Sequence, residues 1–173
     1  MQFLRRDSRC FFETLSSHHS RSDFDCGKPA LNEFLGKQAR QNADRNLGVT
    51  HVVVESPGAS TICAYYTLVT RTVEAEIVPR KGLPRGSLGV VLLGRLAVDK
   101  RHQGRGLGKR CLIRALQQTS RAASEIGIYA LVVDAKDEEA RNWYHHLEFG
   151  FETLLDDPDH LFITVDTIRK VFG

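Results

Sequence analysis

The apolar run Val90–Val98 leads directly into Arg101-His102-Gln103-Gly104-Arg105-Gly106-Leu107-Gly108-Lys109, and no other stretch constrains the fold of this chain as strongly. A buried strand, Val90–Asp99 and apolar enough to be covered on both faces, enters a turn with glycine at alternate positions. An amphipathic helix, Leu107–Ile126, leaves that turn. Its apolar side is set by Leu107, Cys111, Leu112, Ala115, Leu116, Ala122 and Ile126. Three closely spaced glycines allow positive φ, so that successive N–H groups converge on one point. Together with the positive end of a helix dipole they form a place for phosphate. Arg101, Arg105, Lys109 and Arg110 add mobile positive charge around it. The expected ligand is therefore a phosphorylated cofactor.

Spacing rejects two common cofactor loops. Counting a dinucleotide fingerprint from Gly104 puts Lys109 where the third glycine belongs. In a P-loop register Gly108-Lys109 fits, but Gln103 replaces the first glycine and Arg110 the Ser/Thr that would hold magnesium. What fits residue for residue is R/Q-x-x-G-x-G/A, here Arg101-x-x-Gly104-x-Gly106.

The second chemical feature is Asp134-Ala135-Lys136-Asp137-Glu138-Glu139-Ala140-Arg141-Asn142-Trp143-Tyr144, followed by Leu147 and Phe149-Gly150-Phe151. A strand, Tyr129–Ala135, ends here, and a short helix, Glu138–Leu147, carries Asn142 and Tyr144. A phenol with a pKa near 10 can donate a proton to a departing sulfur. Alternatively Tyr144 is one aromatic of a packing cluster, with its hydroxyl tied off.

The remaining pattern has α/β order: strands at Cys10–Leu15, Thr50–Glu55, Ile62–Val69 and Leu161–Val165, and a helix from Ala30 to Asn46 ended by Gly48. Leu31, Phe34, Leu35 and Ala39 form that helix's apolar stripe. One domain over residues 1–173 is expected, with no linker or repeat. No apolar run is long enough to span a membrane. After Arg5, Arg6 and Arg9 the apolar core of a signal peptide is missing, so a cytoplasmic location is expected. Cys10, Cys26, Cys63 and Cys111 have no metal spacing and read as reduced thiols. His18-His19 and His145-His146 are adjacent, and neighbours on a strand or helix point apart, so no metal is expected. The net charge is +3, but Arg80, Lys81, Arg85, Arg95, Lys100, Arg101, Arg105, Lys109, Arg110 and Arg114 face only Asp99 in their span. This basic middle suits a cofactor with several phosphates, or a polyanionic substrate.

Leu93-Gly94-Arg95-Leu96-Ala97-Val98-Asp99, the glycine loop and Asn142-Trp143-Tyr144 together resemble the core of the GCN5-related N-acetyltransferases (GNAT). Phe24-Asp25-Cys26-Gly27-Lys28-Pro29-Ala30-Leu31-Asn32-Glu33-Phe34-Leu35 and Ala64-Tyr65-Tyr66-Thr67-Leu68 narrow this to the acetyltransferase toxins of bacterial type II toxin–antitoxin modules. The resemblance implies a mixed, mostly antiparallel central sheet with splayed central strands, flanked by helices, and acetyl-CoA as donor. It also implies acetylation of the α-amino group of aminoacyl-tRNA, which blocks translation. The implied partners are a ribbon-helix-helix antitoxin, a second copy in a homodimer, and operator DNA through the antitoxin complex alone, with no membrane.

On this reading Tyr144 is the general acid. Backbone groups of Leu96, Ala97 and Val98 pair with the pantetheine arm like an added strand. Gln103, Gly104, Arg105, Gly106, Leu107, Gly108 and Lys109 hold the pyrophosphate, and Asn142 bonds the pantetheine or pyrophosphate region. Lys37, Arg40, Arg45, Arg85 and Arg95 are the expected substrate contacts. Arg95 interrupts an apolar strand and either pairs with a core acid or faces the acceptor. Glu74 and Glu76 are either ordinary solvated acids or candidate bases. An α-amine with a pKa around 8 needs none, whereas a lysine or polyamine near 10.4 would. An acetyltransferase for a small amine or a protein N-terminus, or a non-catalytic acetyl-CoA module, would carry the same loop.

Overall fold

A computed structural model describes residues 10–173, so Arg5, Arg6 and Arg9 lie outside the described residues. The strands are β1 (Phe11–Thr14), β2 (Val49–Val54), β3 (Ala64–Glu74), β4 (Ser87–Val98), β5 (Ala130–Asp134), β6 (Glu152–Thr153) and β7 (His160–Thr164). The helices are α1 (Pro29–Glu33), α2 (Ala39–Asp44), α3 (Leu107–Ala122), α4 (Glu138–His146) and α5 (Val165–Phe172). Hydrogen bonding orders the strands β1-β2-β3-β4-β5-β7-β6. The β1–β2, β5–β7 and β6–β7 pairs are antiparallel and β4–β5 is parallel, so the sheet is mixed as expected. The β4–β5 pairing runs only from Val90–Ala130 to Leu92–Val132, although β4 continues to Val98.

The chain forms two compact units. The first takes the chain up to Thr67 with Arg95–Cys111, and the second takes Leu68–Gly94 with Leu112–Gly173. The core of the first is Phe24, Leu31, Phe34, Leu35, Ala39, Val52, Val54, Ile62, Tyr65 and Ala97. That of the second is Val73, Val78, Val90, Ala130, Val132, Leu154 and Phe162. The stripe expected at Leu31, Phe34, Leu35 and Ala39 is thus buried.

Several local expectations are corrected. The helix expected over Ala30–Asn46 is interrupted by a π-helical turn, Phe34–Gln38. Such a turn shifts the backbone bonding by one residue, and the Gly36 carbonyl accepts a bond from Arg21 Nη1 at 3.0 Å. The helix ends at Asp44 through Asn46, with φ of 56°, rather than at Gly48. Asparagine tolerates that left-handed conformation better than most residues. Helix α3 stops at Ala122, so its buried stripe ends at Thr119 and Ile126 is 66% exposed. In β4, Val90, Val91, Leu93 and Ala97 are buried while Leu92, Gly94, Arg95 and Leu96 are only half-buried, so the cover on both faces is incomplete. Helix α5 and the two-residue β6 were not expected: the strand expected at Leu161–Val165 ends at Thr164, and Val165 and Ile168 are buried residues of α5 at helical spacing.

Candidate functional site

The glycine loop belongs to the first unit, and its base is an aspartate. Asp99 ends the β4 segment, is 1% exposed, and caps the 3-10 turn Lys100–His102. Its carboxylate accepts from the Asp25 amide at 3.1 Å, the Arg101 amide at 2.9 Å, Arg101 Nε at 2.8 Å and Arg101 Nη2 at 3.2 Å. Burial alone would raise this carboxyl. The Arg101 guanidinium and the two amides outweigh burial and hold it down at about 2. Arg101 is therefore a fixed clamp rather than the mobile charge expected from the sequence.

The Phe-Asp-Cys-Gly segment braces the same turn. The Lys100 amide bonds the Asp25 carbonyl at 2.8 Å, and Asp25 Oδ1 accepts from Gly27 N at 2.8 Å and Asn32 Nδ2 at 3.0 Å. Gly27 sits at φ of 88°. The sequence reading did not assign a role to Asp25, Asn32 or Asp99. Asp25-x-Gly27, an aspartate-turn pattern, was the signal available.

Asp99→Asn tests this brace. The carboxyl lies lower in the folded protein than its ordinary 3.8, so its stabilisation is full above about pH 4 and is lost as pH falls toward 2. Removing the charge is expected to cost on the order of 2 kcal/mol at neutral pH. In urea unfolding followed against pH, the variant should lose part of the wild-type slope between pH 4 and 2, values set by the same two pKa limits. An unchanged slope would remove Asp99 from the brace.

Beyond the clamp the backbone turns through two left-handed glycines. Gly104 and Gly106 adopt φ of 80° and 77°, whereas Gly108 lies in α3 and is not left-handed. Two glycines, not three, make the turn. A Cβ placed on either would meet no neighbouring atom, so the space over these two residues is open. Helix α3 starts at Leu107, and its first turn leaves N–H groups without intrahelical partners. Of the residues expected at a pyrophosphate, Gln103–Gly106 are exposed and Leu107, Gly108 and Lys109 lie at the start of α3. The arrangement fits acetyl-CoA's diphosphate.

The neighbouring expectations divide. Gln103 Nε2 donates to the Val98 carbonyl at 2.9 Å and the Cys26 carbonyl at 3.2 Å, so this side chain ties the loop to β4. The Val98 carbonyl is thereby engaged. Leu96 and Ala97 lie on the last residues of β4. Arg95 places its guanidinium 4.4 Å from the centroid of Phe34, an aromatic contact that neither expected role included.

Tyr144 belongs to the second unit. Asp137 caps α4 by accepting from Ala140 N at 2.8 Å, with Glu138 and Glu139 in the first turn and His145 and His146 in the last. The acidic side chains complement the positive end of the helix dipole. Tyr144 is the buried residue of α4 and packs its ring on Trp143 and Phe151, at centroid distances of 4.9 and 5.2 Å. Burial pushes its phenol well above the ordinary value, so it stays protonated at neutral pH. Among the described residues no hydrogen bond ties its hydroxyl, in contrast to Tyr65, which donates to the Leu31 carbonyl at 2.7 Å. A tied-off packing tyrosine does not describe it. Asn142 is exposed one turn before His146, whose Nδ1 meets the Asn142 carbonyl at 2.7 Å.

Among the expected substrate cations, Lys37 pairs with Glu33 at 3.2 Å, Arg40 is half-buried and Arg45 exposed, all in the first unit. Arg85, in the second, lines a cavity of about 550 Å³ with Glu74, Glu76 and Arg80. Glu74 accepts from Ser87 Oγ at 2.6 Å. His18 and His19 do not point apart as neighbours on a strand or helix would. They lie in a turn rather than a strand or helix, and their ring centroids are 4.0 Å apart, with Glu13 beside both. All four cysteines are free.

Residues 47–152 match the acetyltransferase (GNAT) domain family. Over 155 residues the chain is 34% identical to a tRNA-acetylating toxin of Mycobacterium tuberculosis, covering 88% of this chain and 90% of that protein. It is similar in structure to AtaT complexed with acetyl-methionyl-tRNAfMet, with a TM-score of 0.87, 27% identity and coverage of 95% and 99%. It is also similar to a tyrosine-to-phenylalanine mutant of the AtaT toxin bound to the C-terminus of the antitoxin AtaR. There the TM-score is 0.83, identity 26% and coverage 96% and 99%.

Proposed function

Because the chain belongs to the GNAT acetyltransferase family, we propose that it is a toxin that transfers acetyl from acetyl-CoA to the α-amino group of aminoacyl-tRNA. What supports this reading is the presence of an open, left-handed glycine loop and of a protonated, untied Tyr144 in a chain similar over most of its length to a tRNA-acetylating toxin.

Acetyl-CoA supplies the acetyl group as a thioester. Amides of Gly104–Lys109 hold its pyrophosphate, and the clamp of Asp99 on Arg101 fixes the turn from which they project. Backbone groups of Leu96 and Ala97 align the pantetheine arm. As the amine forms the new C–N bond and the C–S bond breaks, Tyr144 gives its hydroxyl proton to the departing sulfur. The proton lost by the amine passes to water, and a proton from water restores the Tyr144 phenol. An α-amine with a pKa around 8 is substantially neutral at cellular pH, so no dedicated base is required. Glu74, already bonded to Ser87, is not needed for that task.

The two units act as parts of one acetyltransferase domain spanning residues 1–173. Lys37, Arg40, Arg45 and Arg85 contact tRNA phosphates, and Arg95, held over Phe34, faces the acceptor. The partner is an antitoxin with a ribbon-helix-helix DNA-binding part, through which alone the complex reaches operator DNA. The toxin is a cytoplasmic homodimer. No helix among the described residues is long and apolar enough to cross a membrane.

The test is incubation with labelled acetyl-CoA and total charged tRNA. Label is expected on the α-nitrogen of the amino acid, released with it when the ester is hydrolysed. Induced expression in bacteria should arrest growth by stopping translation. Each phosphate contact releases condensed counterions, so charge reversal at Lys37, Arg40, Arg45 or Arg85 should flatten the salt dependence of tRNA modification. Acetyl-CoA binding should be spared. If a polyamine or a protein N-terminus takes the label while charged tRNA never does, the toxin reading falls.

A further inference from the structure

Three side chains that the acetyl-transfer reading does not use meet in the first unit. Glu55 follows β2, Cys63 precedes β3, and His102 ends the turn beneath the cofactor loop. One ligand atom of each lies within 4.8 Å of the other two.

The proton count at His102 makes this cluster informative. Its Nε2 is 3.0 Å from Glu55 Oε1, while its Nδ1 is buried without a hydrogen-bond partner, 3.9 Å from Asp99 Oδ1. A neutral imidazole carries one proton. On Nε2, that proton leaves a buried Nδ1 lone pair turned toward the Asp99 carboxylate. On Nδ1, it leaves the Nε2 lone pair opposed to Glu55. A cation shared by Nε2 and Glu55 removes the conflict, with Nδ1–H directed to Asp99. That is the carboxylate–histidine–metal arrangement that orients ligating histidines elsewhere.

We propose that Glu55, Cys63 and His102 bind a thiophilic divalent cation of the Zn²⁺ type, with Asp99 as the positioning residue for His102. Thiolate, imidazole and carboxylate are the donors such a cation prefers. The groups facing the Cys63 thiol are Glu55, Asp99 and Cys10, with Arg101 opposing them. Burial first, then those acidic neighbours, push the thiol up to about 11. The same negative surroundings attract a cation. On binding, the S–H bond breaks, an S–metal bond forms, and the proton leaves to solvent.

The other cluster of this kind, Glu13, His18 and His19, differs at one atom. His19 Nδ1 accepts the Ser16 amide at 3.0 Å, so Nε2 carries the proton that it gives to Glu13 at 2.8 Å. No His19 lone pair is left for a metal. The Glu55 site would join the ends of β2 and β3 to the base of the cofactor loop, and it stands independently of the substrate assigned above.

Chelator-treated full-length protein titrated with Co²⁺ tests the site. One equivalent is expected to produce a thiolate-to-cobalt charge-transfer band, displaced by Zn²⁺. The band should vanish in Cys63→Ala and His102→Gln. It should weaken in Glu55→Gln, an exposed position where folding is not at risk. Release of one proton predicts an affinity rising about tenfold per pH unit, and Zn²⁺ should raise the melting temperature of the wild type alone. Absence of Co²⁺ and Zn²⁺ uptake, or a band unchanged in Cys63→Ala or Glu55→Gln, overturns the proposal.

Discussion

Tyr144→Phe is expected to lower the acetyl-transfer rate by about 10²–10⁴-fold, the range of a positioned proton donor, while acetyl-CoA affinity stays unchanged. The substitution removes one oxygen and keeps the ring contacts with Trp143 and Phe151. Among the described residues that oxygen makes no hydrogen bond, so no partner is orphaned and stability should hardly change. Single-turnover kinetics with preloaded cofactor separate the chemical step from binding. Because burial holds the phenol protonated, no loss of rate through its ionisation is expected in the neutral and mildly alkaline range. The same variant should relieve growth arrest. A rate near that of the wild type would return Tyr144 to a packing role.

Gly106→Val is expected to remove most acetyl-CoA affinity in calorimetry. Gly106 holds φ of 77°, where a side chain costs roughly 1–2 kcal/mol and a β-branched one more. The added Cβ meets no protein atom, so the fold should survive by circular dichroism. The damage falls instead on the loop, whose amides turn away from the phosphates, and on the space the diphosphate occupies. The two variants separate the roles, since Tyr144→Phe should bind and not transfer, whereas Gly106→Val should not bind. Unchanged affinity in Gly106→Val would take the pyrophosphate away from this loop.

Much of this was legible in the residues themselves. The apolar run of β4, the glycine pair and the stripe of α3 lie within a few dozen residues, and each follows from backbone sterics or side-chain periodicity. Tyr144 was legible as a candidate, but its untied hydroxyl was not. Whether a phenol finds a partner depends on residues distant in sequence, as for Tyr65 and Leu31, which lie 34 positions apart.

Sequence by itself determined the α/β order, the helix that starts at Leu107, a glycine turn just before it, and the stripe from Leu31 to Ala39, while the exclusion of Gly108 from that turn came from the fold. Tertiary structure alone decided what the polar groups do. Arg101 looks like a free phosphate ligand in the sequence and becomes a clamp, because Asp99 is buried beside it and shares the Asp25 amide from 74 positions away. Gly36 reads as an ordinary helix residue, yet its carbonyl also accepts a bond from Arg21, 15 positions away. His18 and His19 stack because a turn, not a strand or helix, carries them. Periodicity and φ preferences act over one or two turns of chain, so they can be read locally. A buried charge or an unpaired carbonyl must instead find its partner wherever the folded chain supplies one, because leaving it unpaired costs more than the local geometry returns.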